Sequence, residues 1–179
     1  MDARDGFEVV FLQERAGGCA LVGATTAVED GRAWSVRYEI VVDDAWLTRA
    51  AHVTSRSASG EHEVRLEADG SGHWRIGGSA APGLDGCFDV DLEASSCTNT
   101  LPVHRLGLAI GDGADAPAAY VRAVDVDVER LEQRYIRIED DGARRRFDYT
   151  APAFDYRGPL VYDGSGLVLD YPGIAIRRI

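Results

Sequence analysis

The sequence predicts a mostly β protein, and three observations support this fold class. Apolar and polar residues alternate with a period of two, Asp- and Gly-rich turns separate the alternating runs, and helix signals are weak. A period of two places successive side chains on opposite faces of a strand. The clearest alternating runs are residues 36–42, 46–53, 86–92 and 124–128. We expect roughly a dozen strands at the spacing typical of a sandwich or barrel.

Two identical tetrads, Asp-Gly-Ser-Gly at 69–72 and 163–166, lie between short β-type runs. Asp and Gly favour the backbone angles of tight hairpin turns, so both tetrads predict hairpins. A serine nucleophile on a strand-to-helix turn would need a different spacing of the glycines.

The remaining segments favour irregular structure. Residues 114–119 and 77–85 are rich in Ala, Gly and Pro, and we interpret them as loops. A short helical turn is expected near 95–99 or 129–132. Asn99 to Pro102 resembles a turn, since Pro102 favours an extended Leu101.

Length and charge limit the classes of function. With 179 residues, we expect a single domain over residues 1–179. The formal net charge of −11 argues against nucleic acid as a partner, because phosphate binding needs clustered positive charge. All 19 basic residues are arginines.

Other features predict a cytoplasmic protein without a cofactor. The first residues show no signal-peptide pattern, and no apolar run reaches the length of a membrane helix. Cys19, Cys87 and Cys97 lack the spacing of a metal site, and the four histidines show no ligand pattern. We therefore expect free thiols and no metal site; the oligomeric state stays open.

Four segments resemble the putative glycolipid-binding family of bacterial proteins. They are residues 84–106 with Leu-Asp-Gly-Cys-Phe-Asp-Val-Asp-Leu, residues 38–49 with Trp46 and Arg49, Gln133-Arg134-Tyr135, and residues 166–177 with Leu-Asp-Tyr-Pro. Leu47 stands where the family pattern has a second Arg, and Ser95-Ser96-Cys97 replaces a Thr-Pro step. The resemblance implies a curved, rolled antiparallel sheet, a spiral β-roll or incomplete barrel similar in outline to lipoprotein carriers. It also implies a glycolipid or another amphiphile as ligand, bound on the concave face.

A polar cluster is expected around Asp89 and Asp91, which lie on the same side of one strand. Two close carboxylates need cations or donors between them, and Arg49, Arg105 and Arg134 are the candidates. The cluster is either an ion-pair network that fixes the sheet register or a sugar site on which an aromatic ring stacks. The candidate ligand-binding residues are Trp46, Arg49, Asp89, Asp91, Arg105, Arg134, Tyr135 and Tyr171.

Three functions follow, in order of preference. The first is non-catalytic binding of an amphipathic small molecule, and the second is a structural or regulatory β-domain whose concave face is filled by its own side chains. The third is a glycan-acting hydrolase. Asp89 and Asp91 share one strand and point the same way, whereas hydrolase carboxylates flank the scissile bond, so we expect no enzyme.

Overall fold

The computed structural model describes residues 5–178 and is mostly β, as the alternation predicts. Strands form because apolar and polar side chains alternate, and reversals fall where Gly permits a left-handed backbone. Three antiparallel or mixed sheets contain all the strands of the described residues, and they do not close into a barrel.

The first sheet is a seven-stranded meander in which each strand pairs with its neighbour in sequence. All its pairings are antiparallel. Its strands are β1 (Asp5–Arg15), β2 (Gly18–Glu29), β3 (Arg32–Asp43), β4 (Thr48–Ser57), β5 (Gly60–Ala68), β6 (Trp74–Ile76) and β7 (Ser79–Ala80).

The second sheet is small and central. Its strands are β8 (Asp89–Leu92), β10 (Ala118–Val121) and β11 (Val128–Leu131). β10 pairs parallel with β8 and antiparallel with β11. All four residues of β8 are buried, so this strand is covered on both faces.

The third sheet has the order β16-β15-β14-β13-β12-β9. Its strands are β9 (Gly113–Asp115), β12 (Arg134–Asp141), β13 (Arg144–Ala151), β14 (Tyr156–Tyr162), β15 (Val168–Tyr171) and β16 (Ala175–Ile176). A 3₁₀-helix (Ser96–Asn99) and α1 (Thr100–Leu106) follow β8, and further 3₁₀-helices span Pro82–Leu84 and Pro152–Phe154.

Two apolar cores fill the molecule. The larger lies between the first and second sheets and includes Trp34, Tyr38 and Trp74. The smaller is aromatic and lies on the third sheet around Tyr135, Tyr149 and Tyr162. Since β8 carries Val90 and Leu92 into the larger core, its other face is free to carry the two carboxylates towards the third sheet.

Both Asp-Gly-Ser-Gly tetrads connect antiparallel neighbouring strands, as the sequence predicts. Gly72 and Gly166 have φ of +89° and +79°, and the tetrads connect β5 to β6 and β14 to β15. In each turn one aspartate accepts hydrogen bonds from the backbone N–H groups two and four residues later. Asp43 does the same between β3 and β4, so three turns use one local device.

Several sequence predictions are wrong in detail. Residues 124–127 form a turn, since the Arg122 N–H donates to the Asp127 carbonyl at 2.9 Å and Val126 has φ of +54°. Residues 114–119 contain parts of two strands, 77–85 contain a short strand and a 3₁₀-helix, and 128–131 are a strand. The helical turn near 95–99 is confirmed.

Pro102 does not keep Leu101 extended, and that prediction is wrong. Leu101 is helical, because Pro102 lies in the first turn of α1, where backbone N–H groups have no intrahelical partner. The Asn99-to-Pro102 segment therefore continues the 3₁₀-helix into α1.

Candidate functional site

The centre of the predicted polar cluster is an ion pair between β8 and α1. The Arg105 guanidinium donates to both carboxylate oxygens of Asp89, with Nη2 at 2.6 Å from Oδ2 and Nε at 3.0 Å from Oδ1. The side chains of Arg105 and Asp89 are only 14% and 2% exposed. Arg105 also lies over the ring of Phe88, 5.3 Å from its centre. The predicted Arg105–Asp89 contact is therefore present.

Asp91 has neutral partners. Its Oδ1 lies 2.7 Å from the hydroxyl of Thr98, and Gln133 Nε2 donates to its Oδ2. Tyr135 donates to the side-chain oxygens of Asn99 at 2.8 Å and Gln133 at 3.2 Å. This chain of hydrogen bonds joins β8, the 3₁₀-helix and the third sheet.

Burial governs the protonation of both carboxyl groups. It raises the pKa of Asp91 to about 6, against the hydrogen bonds from Thr98 and Gln133 that favour the ionised form. Burial also raises the pKa of Asp89, although the Arg105 guanidinium opposes that shift. Each of the four carboxyl oxygens has at least one donor from the protein itself. Such an arrangement is typical of a network that fixes register.

The other two candidate arginines lie elsewhere, and this part of the predicted cluster is wrong. Arg49 is 42% exposed and faces Asp43 at 3.8 Å. Arg134 donates to Asp115 at 2.7 Å on the surface of the third sheet. Each of these arginines is thus paired with a carboxylate other than Asp89 and Asp91.

The predicted aromatic platforms are engaged within the fold. Trp46 is in the turn before β4, with φ of +62°, and stacks on His104 with ring centres 3.8 Å apart. Tyr135 is fully buried. Tyr171 packs edge-on against Tyr149 and Tyr156, at 5.8 and 5.2 Å.

The inner face of the first sheet, the face that carries Leu21, Tyr38 and Ile40, is filled. These three side chains are at most 4% exposed and belong to the larger core. Tyr38, near the middle of β3, is also hydrogen-bonded on this face, since its hydroxyl donates to Glu8 at 2.6 Å and lies 3.1 Å from the Ser95 hydroxyl. This face therefore offers no open space for a ligand, as the second predicted function, a β-domain with a self-filled face, requires.

A groove lies instead on the outer face of the first sheet, the face that carries Phe7, Val9 and Phe11. Its volume is about 460 Å³. The strand register places Phe11 beside Val22 and Val9 beside Ala24, and these four side chains form its apolar side. Its polar side is formed by Arg37, Glu39, His52 and Thr54.

A second hollow of about 350 Å³ adjoins the first and shares Ala24, Arg37 and Thr54 with it. Its other lining residues are mostly hydroxyl-bearing or charged: Thr25, Thr26, Ser35, Val36, Arg56 and Glu61. The outer face thus offers an apolar end and a polar end in one continuous depression, which we call the outer groove.

Ion pairs hold the polar residues of the outer groove in place. Arg15 donates to Glu39 at 2.6 Å, and Arg56 donates to Glu61 at 2.5 Å. His52 Nε2 lies 3.0 Å from Glu63, which also accepts from Arg65 at 2.7 Å. The groove therefore presents charged and hydroxyl-bearing side chains beside its apolar wall.

Gln133 and the polar residues of the outer groove are not among the sequence-predicted site residues. Gln133 belongs to the Gln-Arg-Tyr motif but was not singled out as a partner of Asp91, 42 positions away. The apolar wall of the outer groove had a partial signal, because Val9 and Phe11 are spaced by two residues, although Val10 between them is also apolar. The polar side of the first hollow has no sequence signal, since it comes from β3 and β4, which meet only through pairing.

Among the described residues, no helix is long and apolar enough to cross a membrane, and no group of three or more His, Cys, Asp or Glu side chains is placed to hold a metal ion. The cysteines Cys19, Cys87 and Cys97 are unbridged.

The fold and the outer groove define a class of β-sheet protein with a filled interior and an amphipathic surface depression. The chain belongs to the putative glycolipid-binding family, whose model matches residues 1–177. A crystal structure of a DUF1089 family protein from Pseudomonas aeruginosa is similar, with 31% identity, a TM-score of 0.84, and coverage of 97% of this chain and 92% of that one. No curated protein matches the chain.

Proposed function

We propose that this protein binds, without catalysis, an amphipathic molecule that carries a sugar or similar hydroxyl-rich head, and that it does so in the outer groove. The observation that carries the proposal is the contiguity of the two hollows, which share Ala24, Arg37 and Thr54. Small-molecule sites combine an apolar wall with a few polar groups that fix orientation. The family description, putative glycolipid-binding, agrees with such a ligand.

The chemistry of the groove suits a polar head joined to an acyl chain. Phe11 is 62% and Val9 is 55% exposed, so a chain laid against them removes apolar surface from water. Arg37, Glu39 and Thr54 supply donors and acceptors within the same groove, and sugar hydroxyls can use both kinds of group.

The carboxylate pair supports binding without catalysis. Asp89 and Asp91 are 1% and 8% exposed and are held by the chain's own donors. Their hydrogen-bonding capacity is used within the fold.

A structural or regulatory β-domain is the second candidate, and the filled inner face favours it. In that case the side chains of the larger core occupy the space that a carrier would keep for its ligand. The two candidates differ in one measurable property, the binding of a sugar-headed amphiphile.

The test is titration calorimetry with dodecyl maltoside below its critical micelle concentration. We expect the wild type to bind this probe, to bind dodecylphosphocholine more weakly and to show no heat with maltose alone. An absence of heat with dodecyl maltoside would reject the proposal in favour of the structural candidate.

Matched variants locate the site. Phe11→Ser and Arg37→Ala should weaken binding, because each removes a groove residue. Phe7→Ser is the control for the first, since Phe7 is on the same strand and face, is 80% exposed and lies outside the groove lining. Arg144→Ala, an exposed arginine on β13, is the control for the second. Equal binding by all four variants would place the probe elsewhere and contradict the proposed site.

A further inference from the structure

β1 is the outermost strand of the first sheet. It has 11 residues and pairs with β2 along its whole length, from Asp5 with Val28 to Arg15 with Gly18. In the described part of the chain, its other side pairs with no strand. Half of the backbone N–H and C=O groups of such an edge strand are therefore available to a strand-shaped partner.

The edge also carries an exposed apolar ridge, formed by Phe7, Val9 and Phe11 on the outer face. These side chains are 80%, 55% and 62% exposed. Soluble proteins guard long edges with charged residues, above all lysine, with proline, with bulges or with a covering segment. β1 contains no lysine or proline, and its register with β2 runs without a bulge. Of its charged residues, Asp5, Glu14 and Arg15 lie at its two ends, and Glu8 accepts a hydrogen bond from Tyr38 within the fold.

We infer that β1 pairs antiparallel with β1 of a second copy of this chain, about a two-fold axis through Val10. In this register every residue from 5 to 15 faces a partner. Asp5 lies opposite Arg15 at both ends of the interface, and Val9 lies opposite Phe11. The strand is thus complementary to itself in charge at its ends and in apolar character near its centre, as an isologous interface requires.

The geometry of this pairing joins the two ridges. A two-fold axis normal to the sheet reverses the strand direction but keeps both outer faces on one side. The apolar residues of the two copies then form one continuous strip, and the seven-stranded sheet doubles. Arg15 can donate hydrogen bonds both to Glu39 of its own chain, at 2.6 Å, and to the partner's Asp5, because a guanidinium carries five donors.

The pairing and the outer groove share Val9 and Phe11, but the dimer and ligand binding are tested by separate measurements. Because the partner adds in the plane of the sheet, the outer groove of each copy stays open above it. The proposed function can therefore fail while the dimer stands, and the reverse also holds.

Sedimentation velocity over a wide range of protein concentration tests the inference. We expect a reversible dimer in the wild type. Asp5→Arg places arginine opposite arginine at both ends and should weaken the dimer about tenfold, since cross-strand charge pairs contribute up to about 1 kcal/mol each. The double variant Asp5→Arg/Arg15→Asp reverses both pairs and should restore the dimer. If the double variant dimerises more weakly than Asp5→Arg, the proposed register is wrong.

A second pair of variants tests the ridge. Phe7→Lys should abolish the dimer without lowering the melting temperature, because Phe7 is 80% exposed. Val28→Lys is the matched control, being on the same outer face and 48% exposed, but on β2 rather than on the edge. A dimer that survives Phe7→Lys contradicts the inference.

The alternative occupant is a lipid surface, and flotation with phosphatidylcholine vesicles separates it. The ridge is a membrane-facing surface if the wild type remains monomeric at every concentration and floats with the vesicles, whereas Phe7→Lys does not float. That result would overturn the dimer.

Discussion

The guanidinium of Arg105 in α1 and the carboxylate of Asp89 in β8 form a buried forked ion pair, with a shortest N–O distance of 2.6 Å. Sixteen residues separate them in sequence. The ion pair joins α1 to β8 of the second sheet, next to the larger core that contains Val90 and Leu92. Because both side chains are nearly removed from water, the loss of one leaves the other without compensation.

We predict that Arg105→Ala lowers the free energy of unfolding by about 3 kcal/mol or more, because it strands the Asp89 carboxyl group in the interior. Denaturant unfolding measures the change. Arg49→Ala is the control, since its pair with Asp43 is longer, at 3.8 Å, and its side chain is 42% exposed. That change should have little effect. Equal losses in the two variants would contradict the assignment.

Asp91 should make stability depend on pH. Burial raises its pKa to about 6 in the folded state, whereas an unfolded aspartate titrates near 3.9. The folded protein therefore holds this proton more tightly, and the contribution to stability is complete below about pH 4 and is lost as the pH rises through about 6.

Hydrogen bonding opposes that direction but is the smaller effect. The Thr98 hydroxyl and the Gln133 amide stabilise the ionised carboxylate. The Thr98 hydroxyl lies 2.7 Å from Asp91 Oδ1 and 2.8 Å from the Ser95 carbonyl oxygen, so its one proton is divided between two acceptors. Melting temperatures from pH 4 to pH 7 should fall more steeply for the wild type than for Asp91→Asn. The exposed Asp44→Asn should follow the wild type, and parallel curves for all three proteins would refute the prediction.

The two Asp-Gly-Ser-Gly turns give a third prediction. Gly166→Val and Gly72→Val should each lower stability by about 1 kcal/mol or more, because both glycines have a left-handed backbone. The loss should be larger at Gly166, where an added Cβ would lie 2.7 Å from His104 Nε2.

Thermal unfolding checks the turn prediction, with Gly164→Ala as the control within the same tetrad. Gly164 is not among the glycines with positive φ, and nothing lies within 4 Å of an added Cβ. Melting temperatures that stay unchanged in both valine variants would show that the turns tolerate a side chain.

Local patterns predicted the elements that local physics controls. The alternation over residues 36–42 gave β3, and the Asp-Gly tetrads gave two hairpins, because face alternation and turn angles depend on neighbours in sequence. The same reasoning failed at 124–127, where valines alternate with aspartates but the chain turns. There the pairing of the flanking strands decided the backbone.

Residues of one type cannot be ranked from sequence when packing selects among them. Arg49, Arg105 and Arg134 were the candidates for the carboxylate pair, and only the position of α1 against β8 selected Arg105. Gln133 became the partner of Asp91 because the third sheet packs against the other side of the central strand.

The sequence by itself determined a mostly β chain, its main reversals and its family, since periodicity, turn chemistry and motif spacing are all encoded along the chain. The tertiary structure alone decided that the inner face of the first sheet is filled and that a groove with an apolar and a polar end lies on the outer face. The reason is physical: a strand's sequence gives each residue a side, but only the packing of sheets decides which side is covered and which remains in water.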